Sequence, residues 1–102
     1  MATKITLFCA AGMSTSLLVN KMKEAAAALG KDYEIAAYSL GDFEEKAPEA
    51  AVCLLGPQVR YALGKLKAAH PDYKITDIPM KQYGLMDGKG TLKLAMDLLG
   101  EE

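Results

Sequence analysis

The chain has no tryptophan, one histidine (His70) and two cysteines (Cys9 and Cys53). Two cysteines are too few for a disulfide scaffold of the secreted kind, so a reducing, cytoplasmic setting is expected. One histidine beside two cysteines that lack a second pair gives no set of metal ligands, and no metal site is expected. The amino terminus lacks a basic region followed by a long apolar core and a cleavage site, so it does not read as a secretory signal. No apolar stretch approaches the ~18–20 residues needed to cross a bilayer. The formal net charge is -1, so no overall field recruits nucleic acid or an acidic membrane surface.

The 102 residues, 51% hydrophobic and 25% charged, point to one domain over positions 1–102, long enough to build a core without staples. Four short apolar runs, at residues 4–9, 33–39, 51–55 and 73–78, have the near-continuous character of buried parallel strands. Helical patterns lie between them. Leu18, Met22, Ala25, Ala26 and Leu29 share one face of a helix that Gly30 ends. Val59, Leu63 and Leu66 repeat the pattern after Gly56-Pro57, with Pro57 suited to a first turn and Pro71 stopping the helix. A last helix begins near Gly90 and carries Leu92, Ala95, Met96 and Leu99, while residues 42–48 read as a weaker turn or two. Strands alternating with helices imply right-handed crossovers. The expected fold class is α/β: a small four-stranded parallel sheet flanked by helices, flavodoxin-like, with ligands at the carboxyl ends of the strands.

In that fold residues 9–16 form the first strand-to-helix turn. Backbone amides and the helix dipole there make an anion site that needs no charged side chain. Gly12 relaxes the backbone, and Ser14, Thr15 and Ser16 offer hydroxyl donors. The same potential would hold Cys9 as a thiolate, below the free value of about 8.5. On this chemistry two readings stand: Cys9 is a nucleophile for phosphorus, or a small buried hydrophobe ending a strand.

The stretch Cys9-Ala10-Ala11-Gly12-Met13-Ser14-Thr15-Ser16 resembles the phosphocysteine loop of the enzyme IIB components of the sugar phosphotransferase system, in the lactose/cellobiose/chitobiose class. The similarity continues through Leu54-Leu55-Gly56-Pro57-Gln58 and Tyr83-Gly84-Leu85-Met86-Asp87-Gly88 and spans nearly the whole chain. Many family members have Ser where this chain has Ala10, which removes a hydroxyl and keeps the amide. The resemblance implies a phosphotransferase that needs no cofactor. Cys9 accepts a phosphoryl group from a histidine of the IIA protein and passes it to a sugar held by the membrane-embedded IIC permease. Ala10, Ala11, Gly12, Met13, Ser14, Thr15 and Ser16 then form the phosphate-binding loop, with Gln58 and Tyr83 beside it. The setting implied is the cytoplasm, at the inner face of the membrane when the permease is engaged. Sugar choice lies with the permease, so lactose, cellobiose and chitobiose are all compatible.

Low-molecular-weight tyrosine phosphatases resemble this fold and use a loop Cys-x-x-x-x-x-Arg. Here the arginine position falls on Thr15, and no Arg or Lys stands between Cys9 and Lys21. A fixed guanidinium clamps phosphoryl oxygens; amides and hydroxyls contribute about 1.5–3 kcal/mol each, enough to hold a phosphate for a relay. This argues against a thiol phosphatase or arsenate reductase acting alone. A flavin-binding module is the other rival, and the scarcity of aromatics argues against it.

Other residues carry simpler expectations. Cys53 reads as core packing, and His70 as a surface residue at a helix end. Gln58 either faces the crevice or is a solvated first-turn residue. Tyr83 either covers the loop, touches a partner or packs inside. Met13 either contacts partners or folds back onto the domain. Gly84, Gly88 and Gly90 read as turn residues.

Overall fold

The computed structural model describes residues 3–10 and 16–100. Four strands, β1 (Thr3–Cys9), β2 (Tyr33–Ser39), β3 (Val52–Leu55) and β4 (Ile75–Asp77), form one parallel sheet in the order β2-β1-β3-β4. Among the described residues five α-helices accompany them: α1 (Ser16–Ala28), α2 (Phe43–Lys46), α3 (Leu63–Ala69), α4 (Met80–Gly84) and α5 (Gly88–Leu99). This is the flavodoxin-like arrangement expected from the sequence. No helix among the described residues is long and apolar enough to cross a membrane.

The strand period of two sorts the core into two layers. Ile5 and Leu7 of β1 join Ile35, Val52 and Leu54 on one face, under Leu18, Val19 and Met22 of α1 and Leu92, Ala95 and Met96 of α5. Phe8, Cys53, Leu55 and Ile75 face the other way, against Phe43, Ala47 and Val59. The rings of Phe8 and Phe43 lie 4.9 Å apart. Because β1 and β3 are covered on both sides, their sequences are near-continuously apolar, Thr6 of β1 being buried with the rest.

Four details depart from the sequence reading. Leu29 is 54% exposed rather than buried, because α1 ends at Ala28. Gly30 (φ +69°) turns the chain there: its N–H donates to Ala27 O, and Lys31 N–H donates to Ala26 O. These are the paired bonds of a left-handed helix cap. The helix after Gly56-Pro57 opens as a 3₁₀ turn (Pro57–Ala62), with Val59 off helical geometry, before α3 proper. The short α4 was not anticipated. The last helix starts at Gly88, two residues before Gly90, because the Asp87 carboxylate accepts from Gly90 N–H at 2.9 Å and caps it.

Gly30→Ala is expected to cost about 1–2 kcal/mol, the penalty of a Cβ in left-handed backbone. Nothing lies within 4 Å of such a Cβ, so strain alone acts. A urea titration should show a lower midpoint with an unchanged slope.

Candidate functional site

The carboxyl ends of β1, β3 and β4 step down one beside another. Gly56, just past β3, donates its N–H to Phe8 O at 2.8 Å, and Ile78, just past β4, donates to Leu55 O at 2.8 Å. Cys9 is the last residue of β1 and is fully buried. Gly56 packs against it. A Cβ on Gly56 would stand 3.4 Å from Cys9 Cβ and 3.1 Å from Gln58 Oε1. A bare backbone at position 56 therefore lets the cysteine and the glutamine flank one spot.

Gln58 is exposed in the first turn after β3, and its amide oxygen lies against Gly56. Ala10 follows Cys9 as an exposed bend residue, and Ser16 heads α1. The amino terminus of a 13-residue helix thus lies one short connection after the thiol; it carries roughly half a positive charge. Ala11, Gly12, Met13, Ser14 and Thr15 lie outside the described residues.

Tyr83 lies on α4. It is only 8% exposed and packs with Ile78, Leu18 and Leu92 in the α1/α5 layer. The expectation of a partner contact gives way to packing, because α4 turns its ring inward. Its hydroxyl is buried without a hydrogen-bond partner among the described residues.

Cys53 is core. Burial pushes its thiol up to about 11 from 9.0. A thiol whose pKa is raised on folding stays protonated where the unfolded chain already ionises. Its contribution to stability is complete below pH 9 and is lost as the pH climbs toward 11, on the order of 2–3 kcal/mol in all. Denaturation midpoints measured across that window should fall less steeply in Cys53→Ala than in the parent chain.

His70 is more engaged than a solvated surface residue. Nε2 donates to the Glu44 carboxylate, 3.0 Å from either oxygen, and the ring stacks on Tyr73 at 4.4 Å with 2° between planes. This ties α2 to the end of α3. Gly88 is not a turn residue either: it abuts the backbone of Lys21, where α5 crosses α1. Gly90 is pressed against the Asp87 cap.

No Arg or Lys stands between Cys9 and Lys21. Arg60, the chain's sole arginine, lies just after Gln58, with Nε 3.5 Å from Asp77 Oδ2 at the carboxyl end of β4. Among the described residues no three His, Cys, Asp or Glu side chains gather as metal ligands.

This arrangement has close counterparts. The sequence profile of the "PTS system, Lactose/Cellobiose specific IIB subunit" family matches residues 4–94. A galactose-specific EIIB component of Lactococcus lactis subsp. cremoris is 47% identical over 107 aligned residues, covering 97% of this chain and 99% of the relative. An oligo-beta-mannoside-specific EIIB component of Bacillus subtilis is 40% identical, with 94% and 95% covered. Among solved structures, the cellobiose-specific IIB component of Borrelia burgdorferi superimposes with a TM-score of 0.80 at 32% identity, covering 96% of this chain and 92% of that one. The lactose-specific IIB domain of Streptococcus pneumoniae gives 0.83 at 18% identity, covering 95% and 97%, a likeness of fold. With profile, sequence and backbone in agreement over nearly its whole length, the chain belongs to the lactose/cellobiose-specific IIB subunits of the phosphotransferase system, whose work is phosphoryl transfer in sugar uptake.

Proposed function

We propose that Cys9 is the phosphoryl carrier of this subunit, and that the residues from Ala10 to Ser16 hold the phosphate. In the first half-reaction the Cys9 thiolate attacks the phosphorus of a IIA phosphohistidine. A P–S bond forms, the P–N bond breaks, and its electron pair returns to the imidazole. In the second, a hydroxyl of a sugar held by the IIC permease attacks the phosphocysteine. A P–O bond forms, the hydroxyl proton passes to solvent, the P–S bond breaks and the thiolate is restored. The chain is thus a protein-phosphohistidine–sugar phosphotransferase component that acts as one domain in the cytoplasm and meets the membrane through its permease.

The observation that carries this reading is the placement of Cys9. It ends an inner strand at the carboxyl edge, packed on Gly56 beside Gln58 and followed shortly by the amino terminus of α1. That is where a parallel sheet places ligands, and where an oxyanion meets partial positive charge. The sole arginine stands outside the first loop. An amide-and-hydroxyl cradle of this kind holds a dianion without fixing it as an arginine clamp does, which suits a relay that must release its cargo.

The test is incubation with the general phosphorelay proteins, a matching IIA and labelled phosphoenolpyruvate. The expected result is one label per chain, lost on alkylation of Cys9, with a phosphoprotein that persists for minutes or longer in isolation. Hydrolysis within seconds would point to a phosphatase instead.

A further inference from the structure

We propose that Arg60, tethered by Asp77, is the docking cation that recognises the phosphorylated form of the upstream donor protein. The proposal rests on the reading of Cys9 as phosphoryl acceptor and adds to it a residue that selects the loaded donor.

The geometry supports a surface role. The Arg60 side chain is 74% exposed, while Asp77 is 27% exposed. An ion pair this open contributes roughly 0–1 kcal/mol to stability, so folding does not account for its presence. Its effect is to hold the guanidinium in place. The contact is made through Nε, and a guanidinium has further N–H donors in a fixed fork. Part of the cost of ordering a long side chain on binding is thereby met in advance.

Position supplies the link to the chemistry. Asp77 is in register with Leu55, and Leu55 with Phe8, the residue before Cys9. Two strand spacings of ~4.8 Å place Asp77 on the order of 10 Å from the end of β1. That is about one screening length at physiological salt. The neighbours suit a protein partner: Tyr61 is 80% exposed and Met80, which opens α4, is 75% exposed. Arg, Tyr and Met are the residue types that anchor interfaces.

Charge selects the occupant. The donor arrives bearing a phosphoryl dianion and leaves without it, so a fixed cation at the rim favours the loaded donor over the spent one. The downstream acceptor, a sugar, is uncharged. Arg60 therefore acts on the first transfer.

The experiment compares the parent chain with Arg60→Gln, Arg60→Lys and Asp77→Asn. It measures the second-order rate of label transfer from phosphorylated IIA across a salt series. It also measures the rate of transfer from the phosphorylated chain to sugar in permease-containing vesicles, together with the thermal midpoint of each variant. Arg60→Gln is expected to slow the first transfer about 3–10-fold at low salt and to flatten its salt dependence. The second transfer, the final stoichiometry of label and the thermal midpoint should stay unchanged. Arg60→Lys should recover most of the rate, and Asp77→Asn should fall between. A parent-like rate and salt slope in Arg60→Gln overturns the proposal. So does an equal slowing of both transfers, or one that tracks a lowered thermal midpoint. A parent chain that takes no label at Cys9 removes the underlying reading, and this one with it.

Discussion

Cys9→Ser is expected to take no measurable label from phosphorylated IIA, a loss of at least about a thousand-fold, on the order of 4 kcal/mol in the barrier. The substitution changes one atom and nearly preserves volume, so folding is not the cause. Sulfur is intrinsically the stronger nucleophile; a serine hydroxyl needs an adjacent base to act. His70, the chain's one histidine, is committed to Glu44 and Tyr73 on the α2/α3 side, so it is not that base. The matching control is Cys53→Ala. That cysteine is buried with its thiol pushed up to about 11, and its removal should leave the stoichiometry of labelling at one. Radiolabel on the denatured protein, followed by peptide mapping, reads both outcomes. Label retained in Cys9→Ser, or lost in Cys53→Ala at a temperature where that variant is folded, would move the acceptor away from the end of β1.

Gly88→Ala should be the most destabilising of the glycine substitutions. A Cβ at that position overlaps the Lys21 backbone, which belongs to the middle of α1 and cannot swing aside as a side-chain tip can. The two helices must part, and the layer formed by Leu18, Met22, Leu92 and Ala95 loosens with them. Overpacking of a well-packed core costs about 1–3 kcal/mol and sometimes more; contact with backbone puts this case near 3. At ~4–8 °C per kcal/mol for a domain of this size, the thermal midpoint should fall by more than about 10 °C. Gly84→Ala is the comparison, because nothing lies within 4 Å of a Cβ there. A shift of only a degree or two in Gly88→Ala would mean that α5 slides along α1 at little cost.

The contrast between these two glycines marks a limit of sequence reading. Gly84, Gly88 and Gly90 stand within seven residues and look alike as turn residues. One has open space, one meets a helix from the other half of the chain, and one presses on its own cap. The contact that sets Gly88 apart is with Lys21, far away in sequence, and composition holds no record of that. Tyr83 shows the same limit: three roles were open to it, and the turn of α4 selected packing inside. His70 and Glu44 are 26 positions apart, and Arg60 and Asp77 are likewise on separate elements. Neither pairing has a periodic signature.

The amino-acid sequence by itself determined the alternation of strands and helices, the two-sided burial of β1 and β3, the turn out of α1 at Gly30 and the position of Cys9 at a strand-to-helix turn. These are local consequences of side-chain period, glycine's tolerance of left-handed backbone and the apolar runs that two-sided burial requires. The tertiary structure alone decided that Gly56 packs against Cys9, that Gly88 lets α5 onto α1, and that the sole arginine is held at the carboxyl edge of the sheet. Hydrophobic patterning states which surfaces must be covered; which residues meet once they are covered depends on how the layers close, and that is settled by packing across the whole chain.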